Sequence, residues 1–205
     1  MNYDTLATKE SIGKTISSLK ERGHLAEIVE SRDKALLMIK ELVPTGASIM
    51  NGSSRTLEEI GFVEYLKQGK HAWNNLHETV LAEKDPVKQA VLRKQALLSD
   101  YYLGSVHAIS ETGEIVVASN SGSQLPHLAF TSQNLILVVG TQKITPTLDT
   151  AISRLKEYVY PLENTRMKEV GMGGSYISKI LVIEKEQPFM GRKSHVIFVN
   201  EKLGF

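Results

Sequence analysis

Residues 135–139 read Leu-Ile-Leu-Val-Val, an unbroken apolar run between Asn134 and Gly140. A strand with one face in water alternates apolar and polar side chains. A run without alternation needs cover on both faces, which is the setting of an inner strand in a parallel sheet. The run leads into Gly140, Thr141, Gln142, Lys143 and Thr145, and then to a helix start at Thr147. That helix is expected to reach Val159, with Leu148, Ala151, Ile152, Leu155 and Val159 on one face. A buried strand, a polar turn and an amphipathic helix in succession point to an α/β fold.

The rest of the chain repeats the alternation. Residues 3–22 read as a helix with Ile12, Ile16 and Leu19 at helical spacing, and residues 24–30 as a strand. Ser31 caps a helix carrying Ala35, Met38, Ile39 and Leu42, which Pro44 ends. A short buried strand is expected at 47–50, then a helix with Leu57, Ile60, Val63 and Leu66 that runs on through Gly61. Residues 69–81, with the only tryptophan, Trp73, show no clear period. Asp85-Pro86 places a capping acid before a proline at the first helical position. Strands are expected at 101–109, 114–118, 177–184 and 195–200. The expectation is one domain over 1–205, an α/β core at 23–205 with a largely parallel sheet flanked by helices. Residues 1–22 form an N-terminal helical arm, either packed on the core or serving as a contact in a homo-oligomer.

Composition narrows the function classes. Of 205 residues, 24 are Lys or Arg and 23 are Asp or Glu, a net charge of +1. So even a balance gives no electrostatic case for nucleic acid or an anionic membrane. The chain has no cysteine. Disulfides, thiolate nucleophiles and a cysteine-ligated iron–sulfur cluster are therefore excluded within it. Asn2 to Glu10 lacks a basic stretch followed by an apolar one, so no signal peptide is expected, nor is any run apolar enough to span a bilayer. A cytoplasmic location is the expectation.

Two regions carry candidate chemistry. In the first, Asn51, Gly52, Ser53, Ser54, Arg55 and Thr56 join a strand to a helix. Backbone N–H groups, three hydroxyls and the Arg55 guanidinium there suit a phosphate or carboxylate. The spacing is neither a Walker A loop nor a dinucleotide fingerprint, and a serine that merely caps its own helix fits as well. In the second, Asn120, Ser121 and Gly122 form a polar loop with Ser123 and Gln124, while Lys143 and Thr145 lie just past a strand end. Ligands of open α/β sheets bind at strand ends, so Lys143 is read as a binding residue. Glu111, in a Thr-Gly turn, is either a solvated turn residue, a structural acceptor or a catalytic carboxylate. His127, beside Pro126 and Leu128, reads as a packed side chain. The other histidines are scattered with no metal-ligand spacing, so no metal is expected. Gly171 to Ser175 reads as a mobile linker.

Taken together, four segments resemble the LUD domain of bacterial lactate-utilisation proteins. They are N-G-S-S-R-T-L-E-E-I-G at 51–61, S-D-Y-Y-L-G-S-V-H-A-I-S-E-T-G-E-I-V at 99–116, L-I-L-V-V-G-T-Q-K-I-T-P-T-L-D-T-A-I-S-R-L at 135–155 and H-V-I-F-V-N-E-K-L-G-F at the end. The resemblance implies a Rossmann-like sheet of the kind shared by sugar-phosphate isomerases, CoA transferases and 5-formyltetrahydrofolate cyclo-ligase. It implies a non-redox accessory or ligand-binding subunit in the oxidation of L-lactate to pyruvate, with a small anionic or nucleotide-like ligand and iron–sulfur oxidoreductase proteins as partners. Many relatives carry a cysteine-rich segment near the C-terminus, and this chain has none there. Where relatives often show Gly-Asn-Arg before the apolar patch, it has Gly122-Ser123-Gln124. An alternative follows from S-E-T-G at 110–113, which resembles the S-E-N-G of class I CoA transferases. In that reading Glu111 is the nucleophile of acyl transfer, with phosphosugar isomerisation as the other chemistry of the superfold.

Overall fold

The computed structural model describes residues 2–205 and stacks two sheets. The larger is wholly parallel. It contains β1 (Leu25–Val29), β2 (Ser48–Asn51), β3 (Asn74–Asn75), β4 (Tyr101–Gly104), β7 (Asn134–Gly140) and β10 (Lys193–Val199), in the order β1-β10-β7-β4-β2-β3. The smaller has the order β8-β5-β6-β9, from β5 (Ala108–Ser110), β6 (Ile115–Ser119), β8 (Ile144–Thr145) and β9 (Lys179–Ile183). Its β6 runs antiparallel to both β5 and β9, and β5 pairs parallel with β8.

The apolar run at 135–139 is split by the pleat. Leu135, Leu137 and Val139 pack with Ile109, Ile115 and Val117 of the smaller sheet. Ile136 and Val138 turn the other way, onto α2 (Arg32–Leu42), α3 (Arg55–Glu59) and α4 (Phe62–Lys67). The smaller sheet is covered in turn. Val116 and Ala118 meet Ala151 and Leu155 on the helix that follows β8. The layers are thus helices, parallel sheet, small sheet and helix. Each fully buried Val, Leu or Ile contributes roughly 1.5–3 kcal/mol, so layering of this kind dominates the stability.

Local chemistry sets the helix boundaries. Thr8 caps α1 (Lys9–Glu21) through the Ser11 N–H, and Ser31 caps α2 through that of Lys34. After α5 (Leu76–Ala82), Asp85 accepts from the N–H groups of Val87 and Lys88 at the start of α6 (Pro86–Gln95). Among the described residues, no helix is long and apolar enough to cross a membrane.

Three expectations need correction. The helix after Asn51 does not run through Gly61. Gly61 adopts φ 78°, a left-handed conformation that closes α3 before α4 begins. The apolar stretch 101–109 is two strands, not one. The chain leaves the parallel sheet after Gly104, and His107 N–H is already bonded to the Val116 carbonyl of the smaller sheet. Both strands are buried, so composition alone looks continuous. The helix expected to end at Val159 goes on: α7 (Leu148–Arg154) passes through a π turn at Leu155–Val159 into α8 (Tyr160–Glu169). Pro161 has no N–H to give, and the wider turn just before it absorbs that loss.

Candidate functional site

Parallel strands end at one edge. In register, Asn51 stands beside Leu103, Gly104 beside Leu137, and Val199 beside Gly140. The chain leaves β2 toward α3 on one face of the sheet and leaves β4 toward the smaller sheet on the other. A crevice opens where such connections diverge. It holds a cavity of about 360 Å³, lined by the segment 52–56, by Ser105 to His107, by Lys143 and by the loop after β6.

The C-terminal strap closes one side of it. Leu203 carbonyl accepts from Thr56 Oγ1 at 3.1 Å and from Gln142 Nε2 at 3.0 Å, and Gly204 N–H donates to Glu59 Oε2 at 2.7 Å. Gly140 permits this crossing. A Cβ there would lie 2.6 Å from the Glu201 carbonyl and 2.8 Å from the Leu203 nitrogen.

Lys143 lies on the floor, 3% exposed. Its Nζ donates to Thr56 Oγ1 at 2.9 Å and contacts Ser105 Oγ at 3.1 Å. Among the described residues no carboxylate pairs with it. Burial, reinforced by the Arg154 guanidinium and only partly opposed by Glu59, brings its pKa down to about 7.

The smaller sheet supplies the opposite wall. His107 Nδ1 accepts from the Ala118 N–H at 3.0 Å, so a neutral ring carries its proton on Nε2. Burial, then the charges of Lys143 and Arg154, lower its pKa to about 3, and the ring is neutral at physiological pH. Arg154 is fully buried and donates to the His107 carbonyl. Its Nε and Nη2 have no hydrogen-bond partner among the described residues, and its pKa falls to about 10 through burial. Tyr102 hydroxyl donates to Gln124 Oε1 at 3.3 Å, and burial pushes its pKa up. A Cβ on Gly52 would lie 2.7 Å from that hydroxyl, so only glycine fits against it.

Of the residues singled out from the sequence, Gly52, Ser53, Ser54, Arg55, Thr56, Asn120, Ser121 and Lys143 line the cavity. Within this set Ser54 caps α3 through the Leu57 N–H, and Arg55 pairs with Glu58 at 2.8 Å. Asn120 Oδ1 accepts from Ser178 Oγ at 3.2 Å. Asn51, Gly122 and Thr145 lie behind the lining. Asn51 Nδ2 donates to the Gly52 carbonyl, Gly122 N–H donates to Ser119 Oγ, and Thr145 Oγ1 bonds the Ile109 and Thr147 carbonyls. Glu111 stands apart from the cavity. It accepts from Ser11 Oγ at 2.7 Å and Lys14 Nζ at 3.0 Å, and these bonds hold its carboxyl below the usual range. A nucleophile for a ligand in the cavity is not drawn from that position. His127 is packed: it stacks on Tyr102 with centroids 4.6 Å apart and bonds Ser132 Oγ at 2.8 Å. Among the described residues, no group of three His, Cys, Asp or Glu side chains is arranged to hold a metal ion.

Several lining residues carried no local signal. His107 and Ser105 sit inside what reads as one strand. Glu163 and Arg166, joined at 2.7 Å, come from α8, beyond the expected helix end. Ser175, Tyr176 and Ile177 follow the glycine-rich stretch and also reach the cavity.

A six-stranded parallel sheet flanked by helices, with a polar cavity at its strand ends, defines a Rossmann-like α/β fold. The chain belongs to the LUD domain family, whose model matches residues 12–199. It is also similar to the crystal structure of a DUF162 family protein from Deinococcus radiodurans, at 14% identity and a TM-score of 0.59, covering 96% of this chain and 100% of that one. At that identity the likeness shows the fold. None of the curated proteins matches the chain.

Proposed function

We propose that this chain is a non-redox, ligand-binding component of the machinery that oxidises L-lactate to pyruvate in the cytoplasm. It takes a small anionic or nucleotide-like molecule at the strand ends, and iron–sulfur proteins beside it carry the electrons. One observation carries this reading. The segment 52–56, residues of the loop after β6 and Lys143, far apart in sequence, line a single cavity around a buried cation that has no carboxylate partner among the described residues. An uncompensated buried cation is costly, and an anionic ligand offsets that cost. A volume of about 360 Å³ suits a metabolite-sized molecule. Membership of the LUD family supports the link to lactate oxidation, and a chain without cysteine leaves thiolate-held clusters to a partner.

Thermal shift followed by calorimetry tests this with L-lactate, pyruvate, sugar phosphates and adenine nucleotides. A ligand at about 100 times its Kd adds about 2.7 kcal/mol, or roughly 5–10 °C in Tm for a chain of this size. The expected result is such a shift with one class of anion, reduced in Lys143→Met. No shift with any of them overturns the reading.

A further inference from the structure

The surroundings of Lys143 do more than attract an anion. An amine nitrogen has three directions beyond its own side chain. Two are taken by hydroxyls, Thr56 Oγ1 at 2.9 Å and Ser105 Oγ at 3.1 Å. Thr56 sends its hydrogen to the Leu203 carbonyl, so it can only accept from Nζ. Among the described residues no third hydrogen-bond partner meets Nζ, and Lys143 is part of the cavity lining. Three charged or titratable groups act on the amine, each from a different element. Arg154 on α7 repels a positive charge. Glu59 on α3 favours one, but its carboxylate is engaged by the Gly204 N–H. His107, after β4, is neutral. A solvated lysine is an ammonium ion, whereas a buried amine held by hydroxyls alone keeps a lone pair to donate.

We propose that Lys143 is a nucleophile that captures, as an imine, a small carbonyl compound carrying a carboxylate or phosphate. This rests on the reading that the cavity takes a small anion, and it names the class: a 2-oxo acid or a phosphorylated ketone or aldehyde. The Nζ lone pair attacks the carbonyl carbon, and the carbonyl oxygen takes up a proton to give a carbinolamine. A C=N bond then forms as the oxygen leaves. Both hydrogens of the neutral amine depart with that oxygen as one water molecule. No oxidant or reductant takes part. The Nε2–H of His107, on the same lining, is a neutral donor for the carbonyl oxygen, and the hydroxyls of Ser53 and Ser121 and the Arg55 guanidinium surround the anionic end. The segment 52–56 and the polar loop thus bind, while Lys143 bonds.

Trapping with a mild hydride tests the inference. The full chain is incubated with pyruvate or with dihydroxyacetone phosphate and sodium cyanoborohydride near neutral pH, then mapped by peptide mass. The expected product is a single reduced adduct on Lys143. It should form more than about a hundredfold faster than on any exposed lysine, because a solvated amine is almost wholly protonated at that pH. An adduct with pyruvate assigns the carboxylate class, and one with dihydroxyacetone phosphate assigns the phosphate class. Lys143→Met, shown to be folded by circular dichroism, should give no adduct. Lys143→Arg keeps a positive charge at the site but has no amine to attack a carbonyl, so it should also form no adduct. A wild-type chain that is stabilised by the probe yet gives no adduct overturns the imine and leaves the binding reading standing. Labelling spread evenly over surface lysines also overturns it. Neither stabilisation nor adduct removes both.

Discussion

Lys143 Nζ lies 2.9 Å from Thr56 Oγ1, and the same hydroxyl gives its hydrogen to the Leu203 carbonyl at 3.1 Å. One side chain therefore joins the cation to the C-terminal strap. Thr56→Val keeps the shape but removes one hydrogen bond from the buried amine, which keeps Ser105, and one from the Leu203 carbonyl, which keeps Gln142. The expected cost is about 1–3 kcal/mol, read from urea unfolding, together with weaker ligand binding. Thr56→Ser keeps the hydroxyl and should recover most of both.

Lys143 also makes stability depend on pH in a definite direction. In the unfolded chain it holds its proton up to its ordinary value of 10.5, and in the folded chain only up to about 7. Between those values the unfolded state binds more protons, so the contribution of Lys143 to stability improves as pH rises. Below about 7 both states are charged and the penalty is full and constant. Lys143→Met should thus be more stable than wild type by the largest margin at and below neutral pH, and the margin should shrink toward pH 10. Each pKa unit is worth about 1.4 kcal/mol. Chemical unfolding of both proteins across this range checks it, and a margin independent of pH would contradict it.

Glu111→Gln should separate turn chemistry from site chemistry. The substitution weakens the bonds to Ser11 and to the half-exposed Lys14, which tie the β5–β6 turn to α1. A loss of roughly 0.5–1.5 kcal/mol in stability is expected. Ligand binding in the cavity should not change, as a calorimetric titration of the variant would show.

At the far end of the parallel sheet, Arg192 and Glu186 form a buried ion pair, and the guanidinium also donates to the carbonyls of His127 and Leu128 at 2.8 and 2.7 Å. Arg192→Ala strands the Glu186 carboxylate and three carbonyl acceptors, counting that of Ser132. The expected destabilisation is about 3–5 kcal/mol, visible as a large drop in Tm, with the cavity itself left intact.

Much of the fold is legible in the sequence where local pattern and final environment coincide. The run at 135–139 announces a strand covered on both faces, and the pleat does divide it between two cores. Ser31 and Asp85 read as caps and act as caps. What escaped depends on how layers stack. Nothing in Leu103-Gly104-Ser105-Val106 says that the chain changes sheets there, because both destinations are apolar. The apolar face at 148–159 ends at Val159, and only the π turn before Pro161 lets the helix continue toward Glu163 and Arg166. The same limit governs the site. The segment 52–56 and Lys143 are marked by strand-end position, which is local. His107 and Arg154 reach the neighbourhood of Lys143 only because the second sheet and α7 fold back over the first, and no spacing in the chain encodes that distance.

A crystal soaked with pyruvate under non-reducing conditions, and a second with L-lactate, would address the cavity directly. Ligand density against Lys143 Nζ, with its carboxylate among Ser53, Arg55 and Ser121, is the expected result. Density continuous with the Lys143 side chain is expected for pyruvate alone, since lactate has no carbonyl carbon to attack. An empty cavity at saturating ligand, or ligand bound only at another face of the molecule, would contradict the assignment of a small-anion site to the strand ends.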